Sequence, residues 1–380
     1  MIRRLLAAAQ EFAAARGVDI VFAVTNAADY AAFQQQRRGL ESFPSLSDQL
    51  RERGKSLAEM AKAGELALFI GAGVSMSAGL PSWGELLESL RRAAGVRKKD
   101  LKALGNDLDR AEHLSMKLSQ KEVTLQNAIR TIFGDGTKPG LSHVQLAALG
   151  CREAVTTNYD SLYESAFNAT RPEGERVKVL PFEQKKPFDH WILKMHGDLT
   201  GGDIVLTRSD FVGYENAFGP VGAIVQSLLL TRHLLVVGAS MTDDNLLRLA
   251  YEVAAYLRRG DGDGAGQVRD PFGTILALGG SAVKKDFWKG KFDYLGVSQS
   301  TDREEQTRDL SIMLDFIAMH AAEADHLLNK RYETLLEEPE VVVAEQSRRL
   351  ARAIDSLTTR NDPGWARLRL VLSELGAQSS

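Results

Sequence analysis

Four short segments of this 380-residue chain set glycine beside side chains that can donate, accept or move a proton. The first, Gly71-Ala72-Gly73-Val74-Ser75, follows the apolar run Leu66–Ile70. Such glycines let a backbone approach a phosphate, with N–H donors and a positive dipole from the helix beyond; the same spacing also makes a tight turn. Met76 stands where a dinucleotide fingerprint has its third glycine, and no strand ending in Asp or Glu follows about 20 residues on, which argues against a dehydrogenase. The second segment, Thr156-Thr157-Asn158-Tyr159-Asp160, offers an amide and a carboxylate, either to cap the next helix or to grip a carboxamide. The third is Lys194-Met195-His196-Gly197-Asp198. An imidazole with pKa near ~6.5 suits general-base work, Gly197 permits close approach, and Asp198 is a candidate to orient the ring; a structural histidine is the other reading. The fourth is Gly238-Ala239-Ser240.

Each segment ends an apolar run. Strands are predicted at 66–70, 153–157, 191–195, 233–237, 273–278 and 292–297, alternating with helical patterns. That alternation indicates an α/β fold: a Rossmann-like, mainly parallel sheet flanked by helices, whose ligands bind at the carboxyl ends of strands. Ser82 and Glu85 have capping-box spacing and start a helix that runs to Ala94. Residues 98–134 read as a mostly polar helical insertion, and 260–266 as a Gly/Asp-rich surface turn. The amino-terminal stretch reads as helix, a buried strand over Asp19–Thr25, and further helices to about Ala63. In the tail, Leu350, Ile354 and Leu357 form one apolar stripe and 368–375 another, giving a helical C-terminal appendage. The expected division is an appendage at 1–64, a nucleotide-type core at 65–320 and the appendage at 321–380. Neither appendage holds enough apolar material to stand alone, so both are expected to pack on the core or between subunits.

Composition narrows the classes. With 44% apolar residues the chain can bury a sizeable core, and a net charge of −3 gives no basic footprint for direct nucleic-acid binding. One cysteine, Cys151, excludes an internal disulfide and any Cys-paired zinc site. The seven histidines are scattered, and no metal is expected. No run reaches the ~20 apolar residues of a membrane span. The start Met1–Ala9 is cut short as a leader by Gln10 and Glu11, which points to a cytoplasmic protein.

Taken together the four segments resemble the sirtuin family. Gly71-Ala-Gly-Val-Ser-Met-Ser-Ala-Gly-Leu-Pro81 is similar to its Gly-Ala-Gly-Ile-Ser-x-x-x-Gly-Ile-Pro loop, Thr157-Asn158-Tyr159-Asp160 to its Gln-Asn-Ile-Asp, His196-Gly197 to its His-Gly, and Gly238-Ala239-Ser240 to its Gly-Thr-Ser. The resemblance covers about residues 60–320. It departs from the protein-deacylating members in two ways: a lone Cys151 cannot build their zinc module, and Pro81-Ser82-Trp83-Gly84 replaces Pro-Asp-Phe-Arg. The stretches 204–211 and 238–246 look instead like the sirtuin-like effectors of bacterial anti-phage defence. That branch implies hydrolysis of NAD, as substrate, to nicotinamide and ADP-ribose, under a trigger. It also implies a homo-oligomer, or a partner such as a nucleic-acid-translocating ATPase. The resemblance makes Asn158 and His196 catalytic. Gly71, Ala72, Gly73 and Ser75 would hold the pyrophosphate and close over the nicotinamide ribose. Thr157 and Asp160 would lie at the carboxamide with Asn158. Gly238 and Ser240 would contact the adenosine side, joined by Asp243 or Asp244. Deacylase or ADP-ribosyltransferase activity on the same NAD site, and a non-catalytic NAD-binding assembly subunit, are the alternatives.

Overall fold

Continuous apolar runs such as Leu66–Ile70 and Leu234–Val237 have no polar face to offer water, so they belong in a parallel sheet covered on both sides. The computed structural model describes residues 1–40, 43–171, 175–187, 189–201, 203–259, 271–357 and 362–377. It contains β1 (Leu66–Ile70), β2 (Glu153–Thr156), β3 (Lys178–Leu180), β4 (Trp191–Lys194), β5 (His233–Val237), β6 (Gly273–Gly279) and β7 (Phe292–Ser298). Their order is β3-β4-β2-β1-β5-β6-β7, and every neighbouring pair is parallel. The fold is a Rossmann-like parallel sheet flanked by helices, as expected. From β1 the chain moves outward to β2, β3 and β4, then returns to the other side of β1 as β5. That reversal makes the carboxyl end of β1 the switch point where such sheets take their ligands.

Residues 52–315 form one compact unit around this sheet, while 1–51 and 316–380 cluster as a second. Within the sheet unit, the helices Tyr214–Thr231 and Asp244–Arg259 pack Val221, Val225, Leu246 and Leu249 against Phe69, Val155, Leu193 and Val236. Four helices cluster together: Trp83–Ala94 and, within the insertion, Lys98–Lys102, Asp107–Ser119 and Leu125–Phe133. The first opens on the predicted capping box of Ser82 and Glu85. Polar in composition, the insertion is amphipathic in space: with Leu90, its Ala111, Leu114, Leu118 and Ile129 close over Tyr159, Leu199 and Leu206, in the segments that follow β2 and β4. Gln126 Nε2 donates to the carbonyls of Asp198 and Leu199, 3.2 Å away in each case.

Two expectations fail in the second unit. Asp19–Thr25 is irregular chain rather than a buried strand, with Ile20 and Val21 exposed. It pairs with no strand among the described residues; Phe22 docks its ring 5.5 Å from Phe33 instead, and Asn26 then caps the helix Ala27–Arg38. In the tail, Leu350 and Leu357 are exposed, and the buried line runs through Ala344, Ala351, Ile354 and Leu372 with Leu368 and Leu375 beside it. Alanines at a seven-residue spacing form that seam, a signal hidden by ranking side chains on size. The predicted turn at 260–266 lies outside the described residues.

Candidate active site

Strand register puts the candidate chemistry in a row. Ile70 pairs with Thr156 on one side and Val237 on the other, and Thr156 pairs with Lys194. Gly71, Thr157, Met195 and Gly238 are therefore the first residues past the same edge of the sheet, and all four sequence segments converge there.

The glycine loops serve close packing first. A Cβ on Gly71 would fall 2.5 Å from the Ala239 Cα, and one on Gly238, whose φ is +71°, would fall 2.6 Å from the Val74 nitrogen. The Gly71 N–H donates to the Val237 carbonyl (2.9 Å) and the Gly73 N–H to that of Gly238 (2.8 Å). Those donors are thus engaged within the protein. Ala72, Gly73 and Ser240 remain exposed, with the Ser240 hydroxyl 2.7 Å from that of Thr242.

Behind the glycine loop lies a closed polar network. Ser75 Oγ donates to Asp160 Oδ2 (2.8 Å) and accepts from Asn158 Nδ2 (3.1 Å). His143 Nδ1 accepts the Gly140 N–H (3.1 Å), so the ring proton of neutral His143 sits on Nε2, 3.3 Å from Ser75 Oγ. This Ser, His and Asp do not form a nucleophilic triad: the serine stands between the other two, so no carboxylate orients the imidazole. Asp160 Oδ1 accepts from the Leu162 N–H (3.0 Å), so both its oxygens are engaged, although the N-cap position of the helix is Ser161. Asn158 is buried, and its Oδ1 has no hydrogen-bond partner. Thr157, the residue before Asn158, is half-buried.

His196 differs. It is 5% exposed, and burial holds its pKa below the ordinary 6.5 against the opposing pull of Asp243. The ring is therefore neutral at neutral pH. Its Nε2 lies 3.2 Å from Asp243 Oδ2, outside hydrogen-bonding geometry, and has no hydrogen-bond partner. Asp243 is fixed from the other side, its Oδ1 accepting the Leu246 N–H (2.9 Å). The rings of Phe211 and Tyr214 pack edge-on, 5.4 Å and 6.2 Å from the imidazole. Both also line a groove of about 260 Å³ with Arg208, Asp244 and Arg248.

Comparison with known proteins gives this geometry a context. The family described as SIR2-like domain matches residues 152–265. That span carries Asn158, His196 and Gly238. The chain is 29% identical over 211 residues to the NAD(+) hydrolase ThsA of Enterococcus faecium, covering 54% of this chain and 43% of that one. It is 31% identical over 199 residues to the NAD(+) hydrolase ThsA of Bacillus cereus (strain MSX-D12), covering 49% and 40%. Defense-associated sirtuin 2 of Bacillus subtilis matches at 22% over 213 residues, covering 54% and 21%. The chain spans less than half the length of these curated relatives.

The same sheet edge also holds Asp243, expected on the adenosine side, and a buried pair that sequence reasoning missed, Lys194 with Glu164. Asp198 does not orient His196: its Oδ1 accepts from the Thr200 N–H (2.6 Å), and its Oδ2 lies 3.5 Å from Lys194 Nζ. Gly197, at φ +84° with the Asp203 carbonyl 2.0 Å from where a Cβ would sit, turns the chain away before Asp198 is reached. The carboxylate beside His196 is Asp243, from the loop after β5. Lys194 and Glu164 form a buried ion pair (2.7 Å) whose only sequence signal is a lysine closing an otherwise apolar strand. Among the described residues, no group of three or more His, Cys, Asp or Glu side chains could hold a metal ion, and no helix is long and apolar enough to cross a membrane.

Proposed function

We propose that this chain hydrolyses NAD to nicotinamide and ADP-ribose. The observation that carries this reading is the neutral, buried His196 with an unpartnered Nε2, held at the same sheet edge as the unpartnered Asn158 Oδ1, in a chain similar to NAD(+) hydrolases. In the proposed reaction the bond between the nicotinamide nitrogen and the ribose C1′ breaks, and its electron pair leaves with nicotinamide. A water oxygen bonds to C1′ as the oxocarbenium-like centre collapses, and His196 Nε2 takes the water's proton. Asp243, 3.2 Å away, stabilises the resulting imidazolium. Asn158 Oδ1 accepts from the attacking water or from a substrate N–H or hydroxyl. We assign the pyrophosphate and ribose contacts to the exposed face of the two loops, at Ala72, Gly73 and Ser240, with Gly71, Gly238, Ser75 and Asp160 shaping them from behind and Thr157 at the carboxamide.

We place this activity in anti-phage defence, exercised by a homo-oligomer or with a partner subunit such as an ATPase of the same defence system, inside the cytoplasm. The test is product analysis with NAD alone, with and without co-expressed genomic neighbours. Equimolar nicotinamide and ADP-ribose without a second substrate is the expected result. Turnover that requires an acetylated peptide would replace this reading with deacylation, and NAD binding without turnover under every condition would replace it with an assembly role.

A further inference from the structure

A lysine side chain with no exposure is costly, because removing an ammonium from water carries a penalty of several kcal/mol. Lys194 is such a residue: the last of β4, 0% exposed, and two positions before His196. Three oxygens surround this ammonium, one accepting a hydrogen bond and two carrying opposite charge. They are the Asp160 carbonyl, Glu164 Oε1 at 2.7 Å and Asp198 Oδ2 at 3.5 Å. Burial opposes its charge, but Glu164, Asp198 and Asp160 outweigh burial and hold its pKa above the ordinary lysine value. A neutral pair of similar volume, methionine at 194 with glutamine at 164, would avoid that penalty, so the charge is there for what it connects.

Its three partners belong to three different segments. Asp160 ends the loop that carries Asn158, Glu164 lies on the helix Leu162–Ala169, and Asp198 is in the loop that carries His196. A cavity of about 10 Å³, the room of a single water, is lined by Lys194, Glu164, Asp160, Asn158, Ser75 and His143, so the ion pair continues into the network under the amide. We propose that Lys194 is a positioning residue, whose buried ammonium ties the Asn158 loop to the His196 loop and fixes the separation of amide and imidazole. The role in turnover rests on the NAD hydrolysis proposed above; the coupling of the two loops does not.

The test compares wild type with Lys194→Met/Glu164→Gln, which removes the pair without leaving an orphan carboxylate, and with Glu164→Gln alone. In the double variant, hydrogen exchange at 157–164 and 195–200 is expected to rise about tenfold while β1 and β5 stay protected. The kcat for nicotinamide release is expected to fall about 100-fold, as for a misplaced reacting group, with KM for NAD within about threefold. Glu164→Gln is expected to move both readouts the same way by less, and it decides the matter should the double variant not fold. Wild-type exchange at both loops, or wild-type kcat in a folded variant, overturns the proposal. Absence of turnover in the wild type counts against the hydrolase reading alone, since exchange still reports the coupling.

Discussion

Two histidines near one sheet edge share a neutral ring and have opposite surroundings. Burial lowers the pKa of both His143 and His196. His143 is wired at each nitrogen, to the Gly140 N–H and to Ser75, and Ser75 in turn is bonded to Asn158 and Asp160. His196 has an Nε2 with no hydrogen bond, a carboxylate held just beyond bonding geometry, and two aromatic rings that continue into a groove. Groups such as His143 and Ser75, whose polar atoms are all engaged, serve as scaffold. An unpartnered nitrogen at the sheet edge is available to take a proton. The difference separates support from chemistry more sharply than residue type does, since both sides offer His and Asp.

The strongest way to break that distinction is His196→Ala. Loss of a general base is expected to lower kcat for nicotinamide release by about 10²–10⁴-fold. The melting temperature should fall by no more than the packing lost against Phe211 and Tyr214, because the variant also removes a desolvated and unbonded nitrogen. Steady-state kinetics and thermal melts on the same preparation check both halves. A larger stability loss with unchanged turnover would mean that His196 is scaffold after all.

Much of this contrast was invisible in the sequence, for identifiable reasons. The sheet was legible because parallel strands buried on both faces leave apolar runs with little ambiguity, and the glycines and polar residues ending them marked the sheet edge. Lys178–Leu180 escaped notice because a three-residue edge strand flanked by charge has no periodicity to read. Asp19–Thr25 misled because its apolar run is not buried: Ile20 and Val21 are exposed and only Phe22 and Val24 are half-buried, so period and composition signalled a strand that nothing among the described residues pairs with. At the site, the positions of Asn158 and His196 were legible, while the partners were not. Asp243 reaches His196 from a loop 47 residues on, and Lys194 meets Glu164 across 30 residues of sequence. Such pairings follow from strand order and register, which local spacing does not encode.

Ser75→Ala probes the scaffold side, with a smaller expected effect. It leaves Asn158 Nδ2, the His143 ring proton and Asp160 Oδ2 without their shared partner, two buried groups and a half-buried carboxylate at once. The expected cost is about 1–3 kcal/mol of stability, as for unsatisfied buried polar groups, read from denaturant midpoints. Turnover should drop by no more than about tenfold, because the reacting groups remain and only their support is loosened. A kinetic loss as deep as that of His196→Ala, without loss of stability, would place Ser75 in the chemistry and dissolve the contrast.

The mildest test is pH, where the two histidines should part ways. Both fold with pKa values below the unfolded 6.5, so the unfolded chain binds more protons as pH falls below about 6.5, and each ring's stabilising contribution, present above that point, is lost toward its lower folded pKa. For His143, protonation also removes the acceptor that holds the Gly140 N–H, so acid should loosen the network it anchors. For His196, protonation disables the base but draws the ring toward Asp243, which favours the charged form. The acidic limb of kcat/KM should therefore follow His196 and lie below pH 6.5, while part of the acid-induced fall in stability follows His143. Asp243→Asn removes the carboxylate that raises the His196 pKa, so it should shift the acidic limb to still lower pH, whatever it costs in maximal rate. An acidic limb that stays in place in Asp243→Asn, yet moves in His143→Gln, would assign the titrating group to the network and exchange the roles of the two rings.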